Sequence, residues 1–512
     1  MACKTSQVFP PSTIQAPQSL QISVLRLQQS LIAHHWETPV QSQTRFSNPD
    51  PAIMSTMCLF LTATASQLSA FPRSMFSERD MDTVIWLARQ CGADISHTVN
   101  RVNASRDKVT EVYGPECKMH QGALGNPFAM LDFGKILADE WANPLVRPHI
   151  HTYAEDAGEK LNAPYHGAKW REEVKAVLSG PMVRAPDGRD YYVQEPALAV
   201  VGPSRSVQPV MPTRWFLRDG NLWGRVQALG VVSDGSATAL AIDARIDCFE
   251  LPLSAFLESY EELRHSYTAH NLPEPSRVEG VILPDGTFKT SPISAPNPYR
   301  VHAKGRLLFS VPIWVYCDDT SGNTSKKWNK HNSLLFTLAG LPPDVIHLLF
   351  NIHFLATSNI ASPLEMFEAL VNQLSTSLVR EIQEKGGVEA YDCELKQVVL
   401  LLPWILGLNE DNPMQSEFAS HIGLTGKCFC RACHARNDAR SRTAGEDVER
   451  DRISAFLFAR KDNERTKEFT LKTLNEQLAA VLDGAPTRAE KLQTETGVKD
   501  KYFQYFFERL AA

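Results

Sequence analysis

The chain has 512 residues, 43% of them hydrophobic and 21% charged, a balance that excludes global disorder and leaves apolar content for more than one core. Lys and Arg total 52 against 58 Asp and Glu, a formal net charge of −6. The overall basic excess of many nucleic-acid binders is therefore absent, and any such binding needs a local patch. The 10 cysteines are too sparse for a disulfide scaffold and suit a reducing compartment.

Residues 1–50 are rich in Ser, Gln, Pro and Thr and read as a flexible leader with no basic-then-apolar signal. The apolar stretch Met54–Phe71 is broken by Ser and Thr and falls short of the roughly 20 residues a spanning helix needs, so no membrane anchor is expected. Residues 51–170 read as a helical region. Ser77 and Asp80 form a cap ahead of a helix at 78–91, with Met81, Val84, Ile85 and Ala88 as its apolar stripe. A second helix is expected over 94–113, up to Gly114-Pro115. Neither helix has a basic face, so the pair reads as a plain hairpin and not a DNA-reading one.

Over 171–270 the pattern predicts a small antiparallel β domain with a trailing helix at 253–267. Turn signals at Pro186-Asp187-Gly188, Asp219-Gly220-Asn221 and Ser233-Asp234-Gly235 separate β-rich runs. A Pro-rich linker at 271–300 then marks the main boundary. Beyond it, Leu307–Cys317 is a continuous apolar run suited to a strand buried on both faces. Ser333–Ala339 and Ile352–Thr357 read as two further strands. Ser362 caps a helix running to about Glu384, with Pro363 in its first turn and Glu365 at the third position. Val398–Leu408 fits strand or helix on periodicity alone. Three strands, a helix and a strand open an RNase H-like domain, an order many α/β domains share. The expected class is thus α+β or α/β: helical N-terminal region, antiparallel β domain, incomplete RNase H-like domain at 301–440, and helical segment at 441–512.

Two acidic sites follow the long apolar runs: Asp318-Asp319 after the first and Glu410-Asp411 after the last. A turn that caps a strand explains the first pair as well as a site does. On neighbouring strands the two sites would place carboxylates side by side, an arrangement that calls for a divalent cation and suits two-metal phosphoryl transfer. Cys428, Cys430, Cys433 and His434 form a third cluster. Its Cys-x-x-Cys-His run is the c-type haem pattern, which the lack of an export signal argues against. Cys430 and Cys433 also have the spacing of half a zinc site, with His434, Cys428 or His421 nearby; unligated thiols in a buried turn fit equally. Lys326, Lys327 and Lys330 around Trp328 read as a phosphate-backbone contact or as a solvated hairpin loop.

The run Tyr316–Asn323 with Ser325-Lys326-Lys327-Trp328-Asn329-Lys330-His331 resembles the Plavaka-like transposases of fungal mobile elements, which are related to the CACTA group. So do His353–Asn359, Asp411-Asn412-Pro413-Met414-Gln415-Ser416-Glu417, His421–Leu424, Cys430–Cys433, Gln121–Gly125 and Asn143–His149, and the likeness spans roughly 75–512. The resemblance implies a nuclear DDE-type transposase that cuts and joins DNA with two Mg²⁺ ions on three carboxylates. The first would be Asp318 or Asp319 and the second Asp411; strand alternation groups Asp319 with Ile313, Val315 and Cys317, which favours it. The thiol pair Cys430 and Cys433 matches the pair that follows the second acid in related enzymes. The family's third acid lies further on. After His434 no strand-like run follows, and Glu464, Glu468, Glu476 and Glu508 match no family position. Phe503, Phe506, Phe507 and Leu510 form an apolar stripe with nothing after it. The expectation is a transposase-derived protein that is catalytically incomplete, working as an oligomer or lacking its C-terminal half. The alternative is a host-retained module that binds DNA or a protein without cutting.

Overall fold

A computed structural model describes residues 114–233, 238–321, 330–377, 387–435 and 464–511, with scattered positions from 82 to 112. The expected leader at 1–50 and the apolar stretch 54–71 lie outside the described residues. The described positions at 82–89 and at 100–112 are helical, where two helices were expected.

The chain is mixed α/β, with sheets that are mainly antiparallel. Strands β1 (Cys117–Gln121) and β2 (Pro127–Leu131) form a hairpin inside the region expected to be helical, which corrects that boundary. Helix α1 (Phe133–Ala142) follows, capped by the Asp132 side chain, which accepts from the Lys135 N–H. It buries Phe133, Ile136, Leu137 and Trp141.

The β domain comprises β3 (Ala154–Glu155), β4 (Met182–Arg184), β5 (Asp190–Tyr192), β6 (Ala197–Val201), β7 (Ser206–Arg218), β8 (Asn221–Ser233), β9 (Thr238–Asp243), β10 (Phe249–Pro252) and β11 (Phe256–Glu258). The trailing helix α2 is shorter than expected, Tyr260–Ser266, because Phe256–Glu258 pairs as a strand with β6. The expected linker at 271–300 instead carries two strands. β12 (Arg277–Ile282) alternates exposed and buried residues, pairs with β13 (Phe288–Ser294), and runs parallel to β9. Pro292 is tolerated because β13 is an edge strand. Nine strands make this sheet, with order β11-β6-β7-β8-β9-β12-β13 and β10 and β3 attached to β8 and β7.

The last part supplies β14 (Leu308–Ser321), β15 (Lys330–Leu338), β16 (His353–Ser358), helix α3 (Pro363–Ser377), β17 (Val388–Asp392) and β18 (Gln397–Leu408). Together with the first hairpin they form a seven-stranded sheet ordered β1-β2-β16-β15-β14-β18-β17. β14, β15 and β16 are antiparallel neighbours, and β18 runs parallel to β14. One face packs on α1 and α3 in a core that includes Met130, Phe133, Trp141, Ile313, Val315, Phe336, Leu370 and Leu402. On the other, Trp404 and Leu406 meet Trp170 and Tyr165, with Trp314 packed alongside. Burial of each such side chain contributes about 1.5–3 kcal/mol.

The capping box at Ser362 forms as expected: its N–H donates to Glu365 Oε2 at 2.9 Å and its hydroxyl accepts from the Glu365 N–H at 3.3 Å. Glu365 also accepts from the Leu124 N–H at 3.1 Å and from Asn126 Nδ2 at 3.0 Å, so it clasps the β1–β2 turn onto α3. A Cβ at Gly122 would collide with this carboxylate, which explains the glycine. Glu365→Ala removes cap and clasp together. The expected loss is about 2–3 kcal/mol, measurable as a lower denaturant midpoint with faster proteolysis in the β1–β2 turn.

Three C-terminal helices complete the description: α5 (Lys467–Leu482), α6 (Pro486–Thr496) and α7 (Lys501–Ala511), with α4 (Asn412–Phe418) ahead of them. The Phe503–Leu510 stripe is split: Phe507 is buried against Ala480, Val481 and Ala489, while Phe506 and Leu510 remain exposed.

Candidate functional site

The pairing of β14 with β18 is in parallel register, Val315 opposite Leu408, and the Asn409 N–H donates to the Val315 carbonyl at 2.8 Å. Asp318 and Asp411 each lie three residues beyond that pair, so the two acidic sites reach the same end of neighbouring strands. Asp318, Asp319 and Asp411 line one pocket of about 490 Å³, together with Glu417, His421, Lys499 and Lys501.

Local chemistry fixes each carboxylate. Asp411 is the N-cap of α4: one oxygen accepts from the Met414 N–H at 2.8 Å, and Pro413 sits in the first turn. Alternation along β14 places Asp318 with Tyr316, whose hydroxyl donates to Asp318 Oδ2 at 2.6 Å. The Asp319 N–H donates to Asp318 Oδ1 at 2.7 Å. Both Glu410 oxygens are buried without a partner, as is Oε1 of Glu417. Burial, followed by the charges of Asp411, Glu417 and Asp318, pushes the Glu410 carboxyl up to about 8. Glu410 therefore senses three other carboxylates, and Asp318 is the member of the first pair among them. Oε2 of Glu417 pairs with Lys501 Nζ.

The C-terminal helices close this end of the sheet. His421 bridges Val498, the Ile422 N–H donates to the Gly497 carbonyl, and the Lys499 N–H donates to the Ser420 carbonyl. The Ser420 hydroxyl donates to Asp500 Oδ2 at 2.7 Å. His421 is buried and accepts the Gly423 N–H at Nδ1. Burial first, then the neighbouring Arg465 charge, hold it down to about 4, so its ring is neutral at pH 7.

In the cysteine cluster, Arg465 Nε donates to the carbonyls of Cys430 and Cys433 at 2.9 and 3.0 Å. Burial raises the Cys430 thiol, but the Cys433 thiol and the N–H groups of Cys433 and Ala432 outweigh it, so Cys430 lies below its ordinary value. The Cys428 thiol is directed to the Glu495 carbonyl at 3.3 Å, and His434 stacks edge-on against Phe469. The soft thiol pair has the chemistry for zinc, while Cys428 and His434 have these other contacts. Among the described residues, no group of three or more His, Cys, Asp or Glu side chains converges as a metal-ligand set.

Lys326, Lys327 and Trp328 lie outside the described residues, and Lys330 is described only as the first residue of β15. Glu464, Glu468, Glu476 and Glu508 are exposed and are not among the residues lining the pocket. Glu417, Lys499 and Lys501 were not anticipated as site residues. The only signal in the sequence was the position of Glu417 one helix-length after Asp411.

A family model described as a domain of unknown function, DUF8591, matches residues 182–309. The match begins at β4, takes in the strands through β13, and ends at the start of β14, before the pocket. No curated protein matches the sequence. No described helix is long and apolar enough to cross a membrane.

Proposed function

We propose that this chain is a transposase-derived nuclear protein of a mobile DNA element, built on an RNase H-like core whose acidic pocket is a divalent-metal site, and that it is catalytically incomplete. The parallel pairing of β14 with β18 carries the reading, because it delivers Asp318, Asp319 and Asp411 to one pocket. The strand order supports it: three antiparallel strands, a helix, then a fourth strand parallel to the first. One feature differs from a simple version of that core. The edge beyond β18 is taken by β17, an antiparallel partner that precedes it in the chain.

The donor set suits Mg²⁺. Carboxylate oxygens are hard ligands, and Oε1 of the pocket-lining Glu417 is buried without a hydrogen-bond partner. Asp318 or Asp319 with Asp411 would hold the ion, which when bound polarises a phosphoryl oxygen and lowers the pKa of a water ligand. This chain's own contribution is orientation. Tyr316 fixes the Asp318 carboxylate, and α4 fixes that of Asp411. DNA is the proposed partner. Zinc at Cys430 and Cys433 belongs to the same reading, as a brace near the pocket.

The test is metal-dependent nicking of duplex DNA by the wild type and by Asp411→Ala. The expected result is no cleavage with Mg²⁺ or Mn²⁺, because two-metal chemistry needs further ligands, and misplacement by about 1 Å costs roughly a hundredfold. Robust nicking abolished by Asp411→Ala would show that the site is complete. Salt-dependent duplex binding without nicking is the outcome for a binding module.

A further inference from the structure

We infer that His151, Glu155 and His166 form a proton-sensitive joint between the two sheets, closed while the His151 ring is neutral and loosened when that ring takes up a proton. The joint lies at the seam of the sheets and is independent of the acidic pocket.

The backbone sets the seam. Glu155 ends β3, which runs beside β7 in the nine-stranded sheet. Four residues earlier, the His151 N–H donates to the Gly340 carbonyl at 2.9 Å, two residues beyond β15 of the seven-stranded sheet. A Cβ at Gly340 would stand 2.4 Å from the His151 carbonyl oxygen, so only glycine allows this approach. Tyr165 lies flat on the His151 ring, with centroids 3.8 Å apart and planes 7° from parallel. Tyr165 also belongs to the apolar cluster in which Ala154 and Trp170 meet Ala339, Trp404 and Leu406. His151 is therefore stacked on a residue that seats one sheet on the other.

Two rings face one carboxylate. His151 Nδ1 is 3.6 Å and His166 Nε2 3.9 Å from Glu155 Oε2. Both distances exceed hydrogen-bond range, so Glu155 compensates a charge on His151 only in part. His166 Nδ1 accepts the Asn162 N–H at 3.2 Å, so its neutral ring carries hydrogen on Nε2, toward the same carboxylate. A proton on His151 thus enters a half-buried place whose nearest acid is shared. Burial holds the His151 ring below its ordinary value of 6.5; Glu155 pulls the other way, and His166 adds to burial. The other ionisable groups here are Tyr165 and, acting on it, Asp344 of the short helix Pro343–Ile346. Asp156, next to Glu155, is engaged by Arg171 and Arg218. A group lowered on folding gives up stability as pH falls below its unfolded value, so loosening sets in below 6.5. The charged ring gains by leaving Tyr165 for water. The attraction of a cation for the Tyr165 face opposes this but is small beside the loss of hydration.

The experiment uses the full chain with isotope-labelled histidine. NMR follows the His151 ring, assigned by its loss in His151→Phe, and hydrogen exchange gives the protection of the backbone amide of residue 151, corrected at each pH for the intrinsic rate. The expected wild-type midpoint lies below 6.5. Protection of that amide should fall roughly fivefold between about pH 7.5 and about pH 5.5. His151→Phe keeps the stack and cannot charge, so its protection should hold over the same range. Glu155→Gln should move the midpoint further down and deepen the loss. Circular dichroism checks folding; His151→Gln replaces His151→Phe if the latter fails, and the wild-type titration stands without either. A wild-type midpoint at or above 6.5, protection that does not change with pH, or a loss that persists in His151→Phe would each overturn the joint.

Discussion

Arg147→Ala should destabilise the protein by about 3–5 kcal/mol, read as a fall in the denaturant midpoint. Arg147 Nε donates to Asp392 Oδ2 at 2.8 Å, with the side chains only 8% and 0% exposed. Its guanidinium also lies over Trp141 and Phe309 at 5.7 and 5.6 Å from the ring centroids. Removing the cation strands a carboxylate in the core, which costs more than the pair itself contributes. Two turn N–H groups, from Glu394 and Leu395, still reach Asp392 Oδ1, which places the loss toward the lower end. The discriminating variant is Arg147→Met with Asp392→Asn. That double change removes the stranded charge and should recover part of the stability. A single and a double variant of equal stability would show that the charge is not what matters. Because Asp392 ends β17 at the turn into β18, the same bond anchors the strand that carries Asp411 to the pocket.

Stability should also fall as pH rises from about 4.5 to about 8, and Glu410→Gln should remove that slope. The Glu410 carboxyl is raised from 4.5 to about 8 by burial and then by Asp411, Glu417 and Asp318. A group raised on folding binds its proton more tightly in the folded chain. Its contribution is complete below the unfolded value and is lost as pH climbs through the folded one. The amide keeps the shape and never ionises, so the variant should melt higher than wild type at pH 8 and level with it near pH 4.5. Excess Mg²⁺ at pH 8 should narrow the gap if the pocket takes a divalent ion. A wild-type slope unchanged in the variant would assign the pH dependence to another group.

Much of the seven-stranded sheet was legible because burial on both faces writes itself as continuous apolar sequence. Leu307–Cys317 and Val398–Leu408 are of that kind, and acids directly after such runs mark strand ends. Whether Val398–Leu408 was strand or helix needed the pairing with β14, which no periodicity contains. Cys117–Gln121 escaped notice because four of its five residues are exposed and show no alternation; its extended form depends on β2, its partner. Arg277–Ile282 does alternate, but it stood among prolines that read as linker. Glu417 had no mark of a site residue beyond its place one helix-length after Asp411, for a different reason. Its burial is completed by Lys501, 84 residues further along, and no local pattern reports that contact.

The seven-stranded sheet is assembled from both sides of the nine-stranded one. Met130 of β2 pairs with Ala356 of β16, and the whole β domain lies between them in the chain. On the ribosome, the first hairpin therefore emerges more than two hundred residues before the strand it must join. Until then Phe128 and Met130, buried in the finished protein, have no native cover from β16. The nine-stranded sheet, by contrast, draws all its strands from one stretch of chain ending at Ser294, with hairpins such as β6-β7, β7-β8 and β8-β9 at its centre, and can form as soon as that stretch is synthesised. The early hairpin is then the segment most in need of a chaperone, and the one where slowed elongation would leave nascent chains open to aggregation.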